Sequence, residues 1–340
     1  MQKIKRDLNH ILIETAVRKA LKEINSSPKR SIRNLVDLAL HFSNGRFQKH
    51  FFSTAQEMLQ NKKSAYYNLI EDIVSHVNHN TLTSFGINVG YNSFTKGAKI
   101  IRQTKEEEKF NTPWSLFLHM REESVIKHRQ MYHSLILQGK KLGIYTYLIF
   151  ASGNLNEICS LIKEHMDCAF ILFVKPNDLT DEIIKKFQSI NNIMISVCAR
   201  KNPFSACKKL REAGILYSIY FKYSEENKNY ILSGKWECLL SSLHPSFTFF
   251  FSNNKCSTQT QKEIYDFVVE SRKNQELPTV LMELHQDNIY INNIISEKDC
   301  LTSFDTKGQF HHLYKMATNR SLNIFHNDLM SILKTAFILE

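Results

Sequence analysis

The sequence predicts an α/β protein: a partial (β/α)6 TIM-like barrel preceded by an α-helical N-terminal region. Three observations carry this. From Asn111 onward, short apolar runs alternate with amphipathic stretches at regular spacing, the pattern of a parallel sheet with helical crossovers. Before that point, apolar residues recur at helical spacing. The strand–helix units number six, too few to close an eight-stranded barrel. The expected organisation is a helical domain over 1–80, a connector over 81–110, the barrel over 111–275, and an extension with short strands and a final helix over 276–340.

Composition sets bounds. The chain has 340 residues, 43% of them hydrophobic, enough for a sizeable core. It has no apolar run long enough for a membrane span, and MQKIKRDLNH is too polar for a secretory signal. Seven cysteines (159, 168, 198, 207, 238, 256, 300), an odd number without CxxC pairs, predict a reduced, cytoplasmic chain with buried thiols. A formal charge of +11 permits an acidic partner without requiring one. Only 10 glycines occur, and neither GxGxxG nor GxxxxGK[ST] is present, which argues against a phosphate-cradling loop.

In chain order, four amphipathic helices come first. Their apolar faces are Ile13, Val17, Leu21 and Ile24; Ile32, Leu35, Val36 and Ala39; Phe47, Phe51, Ala55 and Met58; and Tyr66, Leu69, Ile70 and Ile73. Turn chemistry at Ser26-Ser27-Pro28, Ser43-Asn44-Gly45 and Asn61-Lys62-Lys63 separates them. Lys3, Lys5, Arg6, Arg18, Lys19, Lys22, Lys29, Arg30, Arg33, Arg46 and Lys49 make the region basic. This suits a solvated surface or an anionic partner; no helix-turn-helix pattern supports DNA reading, so nucleic acid is not expected. Thr81 to Phe110, with Gly86, Gly90 and Gly97, reads as the connector.

The predicted strands are Trp114–His119, Ile144–Phe150, Cys168–Val174, Ile193–Val197, Ile215–Tyr223 and Ser246–Phe251. Helices are expected between them, among them Leu155–His165, Ile183–Ser189 after an acidic first turn, a single helix near Tyr230–Ser241, and Gln259–Asn274. The extension is read as a strand at Val280–Leu284, polar turns over Asn288–Asp299, a hairpin near Thr302–His311, and a last helix sharing Leu322, Phe325, Leu329, Ile332, Leu333 and Ala336 on one face.

Several stretches carry a resemblance: YYNLIEDI (66–73), NTPWSLFL (111–118), LILQGKKLGIYTYLIF (135–150), IKEHMDCAFILF (162–173), LTDEIIKKF (179–187), IMISV (193–197), MELHQDNIYI (282–291) and LKTAF (333–337). In their order the chain resembles a radical SAM family of low-GC Gram-positive bacteria, with a helical region before a partial (β/α)6 barrel. The resemblance implies a CxxxCxxC loop after strand 1 holding a [4Fe–4S] cluster through thiolates, and GGEP after strand 2 facing S-adenosylmethionine. Here His119-Met120-Arg121-Glu122 joins strand to helix with no cysteine before residue 159, and strand 2 ends in Ala151-Ser152-Gly153-Asn154. Of the C-terminal cysteines of such relatives, only Cys300 is present, and their Gly-Gly is Asn292-Asn293. His119, Ser152, Gly153, Asn154, Ser196 and Cys198 are therefore candidates for a vestigial pocket rather than cofactor ligands. The resemblance makes the chain a degenerate member.

The residues bear on other chemistries as well. His119, His128 and His133 lie near one strand end but lack the spacing of convergent metal ligands. His311 and His312 are adjacent, so their rings diverge. Cys198 and Cys207 lack a histidine partner for nucleophilic catalysis. Glu283, His285 and Asp287 alternate as if on one strand face and suggest a hydrolase. Phe247 to Phe251 reads as core strand. The function expected is a non-catalytic, radical-SAM-like protein that binds a partner: an active radical SAM paralogue or its substrate. No cofactor and no metal are expected. The alternatives are peripheral binding to an anionic membrane through the basic helices, and an enzyme with repurposed chemistry at the barrel mouth.

Overall fold

The computed structural model describes residues 8–24, 27–41, 43, 45–253, 256–312, 315–316, 319 and 321–339. Lys3, Lys5, Arg6, Ser26 and Asn44, named above, lie outside them. The N-terminal helices are α1 (Leu8–Ile24), α2 (Pro28–His41), α3 (Arg46–Met58) and α4 (Tyr66–His76). Leu21, Ile24, Ile32, Leu59, Tyr67 and Val74 form their shared core. The Tyr67 hydroxyl sits inside that core because it donates to the Leu59 carbonyl at 2.5 Å and accepts from Arg33 Nε at 2.8 Å.

The expected connector is instead helical. It comprises α5 (His79–Ile87), a wide-turn helical segment (Asn88–Gly97) and α6 (Ala98–Glu108). Buried Asn88 and Asn92 explain this. Their side-chain amides donate to the carbonyls of Met166, Cys168 and Asp167 at 2.8–2.9 Å, tying the segment to the start of the third strand. Gly97 marks a close approach rather than a loop: a Cβ there would lie 2.3 Å from the Gly143 carbonyl oxygen.

The strand–helix series is β1 (Ser115–Arg121), α7 (Glu122–Lys141), β2 (Thr146–Ser152), α8 (Asn156–Glu164), β3 (Ala169–Val174), α9 (Asp181–Phe187), β4 (Ile193–Cys198), α10 (Phe204–Glu212), β5 (Tyr217–Tyr223), α11 (Lys228–Leu232), α12 (Leu240–Leu243), β6 (Phe247–Ser252) and α13 (Thr258–Asn274). The single helix expected near 230–241 is thus broken into α11, a short turn and α12. Then come β7 (Val280–Glu283), α14 (Leu284–Ile295), β8 (Thr302–Phe304), β9 (Phe310–His312), β10 (Lys315–Met316) and α15 (Leu329–Phe337). Strands β1 to β7 are parallel in chain order, and β8 adds in parallel outside β1, followed by antiparallel β9 and β10. This is the open, partial α/β barrel that the alternation predicted, curled around an inner face.

Alternation along each strand sorts the core. Leu116, Leu118, Tyr147, Ile149, Phe170, Leu172, Ile195, Val197, Ile219 and Phe221 face the helical layer. Phe117, Leu148, Phe173, Met194, Phe249 and Phe251 face inward. Val77 and Phe85, from the end of α4 and from α5, join the inner cluster and close the N-terminal end of the strands.

The extension differs from expectation in two places. The polar stretch after β7 is α14, not turns. Glu283 caps it by accepting from Gln286 N at 2.7 Å. Asn288 binds Ser115 Oγ at 2.8 Å, and Asn292 accepts from Trp114 N at 3.0 Å, so α14 leans on the start of β1. The last helix begins only at Leu329, with Asp328 capping Ser331 N at 2.9 Å, which leaves Leu322 and Phe325 before it.

Candidate functional site at the open mouth of the barrel

The C-terminal strand ends form the mouth, where α/β proteins place their chemistry. On its inner wall aromatic rings meet edge to face and in stacks. Phe150 stacks on Phe173 (4.5 Å between centroids), on His119 (5.0 Å) and on Phe117 (6.4 Å), and meets Phe251 edge-on (5.3 Å). Tyr220 lies 5.5 Å from Phe251 and from Phe173, and Lys222 holds its ammonium 5.8 Å from the Phe251 centroid. Phe247 to Phe251 is thus strand β6, and its inward rings also floor the mouth.

The residues predicted for a vestigial pocket do fall at this end, but on separate duties. His119 is open to solvent within the bowl yet has protein on most sides. That surrounding holds its imidazole below the usual histidine value, and the nearby charges of His311 and Lys222 add to it while Asp305 opposes. Ser152 is half-buried, and Gly153 turns the chain at φ +91. Asn154 accepts from Asn156 N at 3.0 Å just ahead of α8. Ser196 is fully buried beneath the rings, and Cys198 stands half-buried beside Tyr220. Burial first, then Cys198, raises the Tyr220 phenol above its ordinary value.

The rival groupings come apart. His119, His128 and His133 go three ways: His119 onto Phe150, His128 onto Phe325 at 3.9 Å, and His133 to Glu164 at 3.0 Å. His119 lies on β1, and α7 has a break in helical geometry at His128, between the other two. His311 bonds Asp305 at 3.2 Å, whereas His312 bonds the Leu301 carbonyl at 3.0 Å. Cys207 lies on the buried face of α10, and its thiol is pushed up to about 12 by burial, which makes it inert.

The triad read from Glu283, His285 and Asp287 is corrected by the helix that starts between them. Glu283 ends β7 and accepts from the Tyr223 hydroxyl at 2.8 Å. His285 turns toward Phe117 and Phe251 and is held down to about 3 by burial, then by His119 and Lys222. Asp287 pairs with Arg272 at 3.0 and 2.8 Å. A helix advances 100° per residue where a strand alternates, so the shared face is lost. The sequence reading also missed that Glu283 is a fully buried acid, pushed up to about 7 by burial.

The mouth offers little to an iron–sulfur cluster. β1 passes into α7 at Arg121–Glu122, so no loop intervenes to hold one. Cys159 and Cys207 belong to the buried helical layer, and among the described residues no three thiols converge within ligating reach. The residues present therefore do not fit such a group.

No protein-family model and no curated protein matches this sequence. Solved structures do share the fold. SuiB of Streptococcus suis bound to precursor peptide SuiA aligns with a TM-score of 0.50 at 10% identity, over 72% of this chain and 70% of that one. SuiB bound to S-adenosylmethionine aligns at 0.49, also at 10% identity, over 72% and 71%, and a further SuiB structure at 0.49 and 10% over 88% and 81%. The likeness is to the fold of these structures, and at 10% identity it concerns the fold alone. Among the described residues no helix is long and apolar enough to cross a membrane.

Proposed function

We propose that this chain is a degenerate radical-SAM-like protein that works by binding a peptide or protein at its barrel mouth, without cleaving S-adenosylmethionine. The observation that carries the reading is the mouth itself. β1 runs into α7 without an intervening loop or a sulfur ligand, and the wall above is aromatic. Rings that stay half open, such as Phe150 and Tyr220, supply contact area for a partner at small entropic cost. Exposed Lys222 and Arg121 edge the bowl with positive charge, so the partner segment favoured is acidic and carries aromatic side chains. The peptide held by SuiB supports a peptide as the partner class.

The basic helices favour the membrane alternative less, because several cations there already hold internal partners: Arg18 pairs with Glu14 at 2.9 Å, Arg33 with the Tyr67 hydroxyl, and Lys29 with the Lys62 carbonyl at 3.1 Å.

The test is fluorescence anisotropy with three labelled model peptides: glutamate–phenylalanine, lysine–phenylalanine and glutamate–serine. The first binds best, and Tyr220→Ala or Lys222→Glu weakens it by about tenfold, the scale of one aromatic or charged anchor. Equal binding of all three peptides, or variants that bind as the parent does, would overturn the proposal.

A further inference from the structure

We propose a divalent transition-metal site on the outer helical layer, formed by His133 of α7 with Glu164 and His165 at the end of α8, that accepts Zn2+ or a similar borderline ion. It stands apart from the mouth: Glu164 and His165 end α8 just before β3, at the N-terminal side of the sheet.

Three observations converge. One ligand atom from each of the three residues lies within 4.8 Å of the others, the one such group among the described residues. His133 Nδ1 and Glu164 Oε2 are already 3.0 Å apart. His165 is 1% exposed, and neither ring nitrogen has a hydrogen-bond partner. A buried imidazole without a partner costs about 1–3 kcal/mol, which a metal bond would offset. Its ring centroid is 4.7 Å from that of His133, so the unsatisfied nitrogens lie beside the His133–Glu164 pair.

The chemistry fits a borderline ion. Two imidazoles and one carboxylate are an ordinary zinc donor set, with one position left to water. In a tetrahedral site donors lie about 3.4 Å apart, so a movement of at most about 1.4 Å would close the set. Glu164 offers Oε2 while Arg129 holds Oε1, an outer contact that orients a ligating carboxylate. His133 and Glu164 are 41% and 44% exposed at the side chain, so the open position faces water. Bound there, the ion would clamp α7 to α8.

The experiment is titration of the untagged full-length chain with Co2+, read by visible absorption and calorimetry, with thermal unfolding in parallel. One ion per chain is expected, with a tetrahedral d–d band, no thiolate charge-transfer band, and a raised unfolding temperature. His133→Ala and Glu164→Gln alter half-exposed side chains, and each is expected to keep the fold and weaken binding at least about tenfold. A thiolate band, no stoichiometric uptake, or both variants binding as tightly as the parent would overturn the site.

Discussion

Glu283 gives the sharpest link between geometry and a measurable energy. The carboxyl is 1% exposed at the end of β7, held by the Tyr223 hydroxyl and by Gln286 N. Burial pushes it from 4.5 up to about 7. Below pH 4.5 the acid is protonated in both folded and unfolded chains and costs nothing. As pH rises from 4.5 to 7 the unfolded chain releases its proton while the folded chain retains it, so stability falls; above 7 both are ionised and the loss is complete. At about 1.4 kcal/mol per pH unit the whole loss is about 3 kcal/mol, most of it between pH 5 and pH 8. Glu283→Gln keeps the shape and one acceptor and does not titrate. Urea unfolding of both proteins at pH 5 and pH 8 should therefore show the variant gaining about 2 to 3 kcal/mol on the parent between the two. Asp287 is present in both, so its own titration cancels to first order. A stability difference that does not change with pH would refute the assignment.

Three further outcomes are expected. Gly97→Ala places a methyl 2.3 Å from the Gly143 carbonyl oxygen and should cost about 3 kcal/mol in urea unfolding; a loss under about 1 kcal/mol would mean the two backbones part easily. Asp72 of α4 binds Arg211 of α10, pinning the helical region to the barrel; burial alone would raise its carboxyl, but the guanidinium prevails and lowers it. That stabilisation is present above the unfolded carboxyl pKa and is lost as pH falls through the lower folded value, so Asp72→Asn should cost about 1–2 kcal/mol at pH 7 and progressively less in acid, and a pH-independent cost would count against the pair. Maleimide at neutral pH should label exposed Cys238 before Cys159 and Cys207, whose buried thiols are pushed up to about 12, as mass spectrometry of the digest can establish; equal labelling would contradict the burial.

The strands and most helices of the barrel were legible because their signals are local: apolar runs of strand length between amphipathic stretches. Two segments misled for a shared physical reason. In α14 the buried positions include His285, Asp287, Asn288 and Asn292, and polar side chains filling a core face hide helical periodicity. What satisfies them is distant in sequence: Arg272, Ser115 and the Trp114 backbone. Asn88 and Asn92 hid the helical connector in the same way. The aromatic mouth was half visible, since Phe247 to Phe251 was read as strand, but its contacts with Phe150 and Tyr220 depend on curl. His133 was noticed, yet Glu164 and His165 lie 31 and 32 residues away across a helix pair, which spacing alone does not reveal.

The central claim is that this barrel binds and does not generate radicals. Anaerobic reconstitution with iron and sulfide, followed by reductant and S-adenosylmethionine, tests it most directly. The account predicts neither a stoichiometric four-iron spectrum nor reductive cleavage of S-adenosylmethionine. One cluster per chain with turnover of S-adenosylmethionine would contradict it.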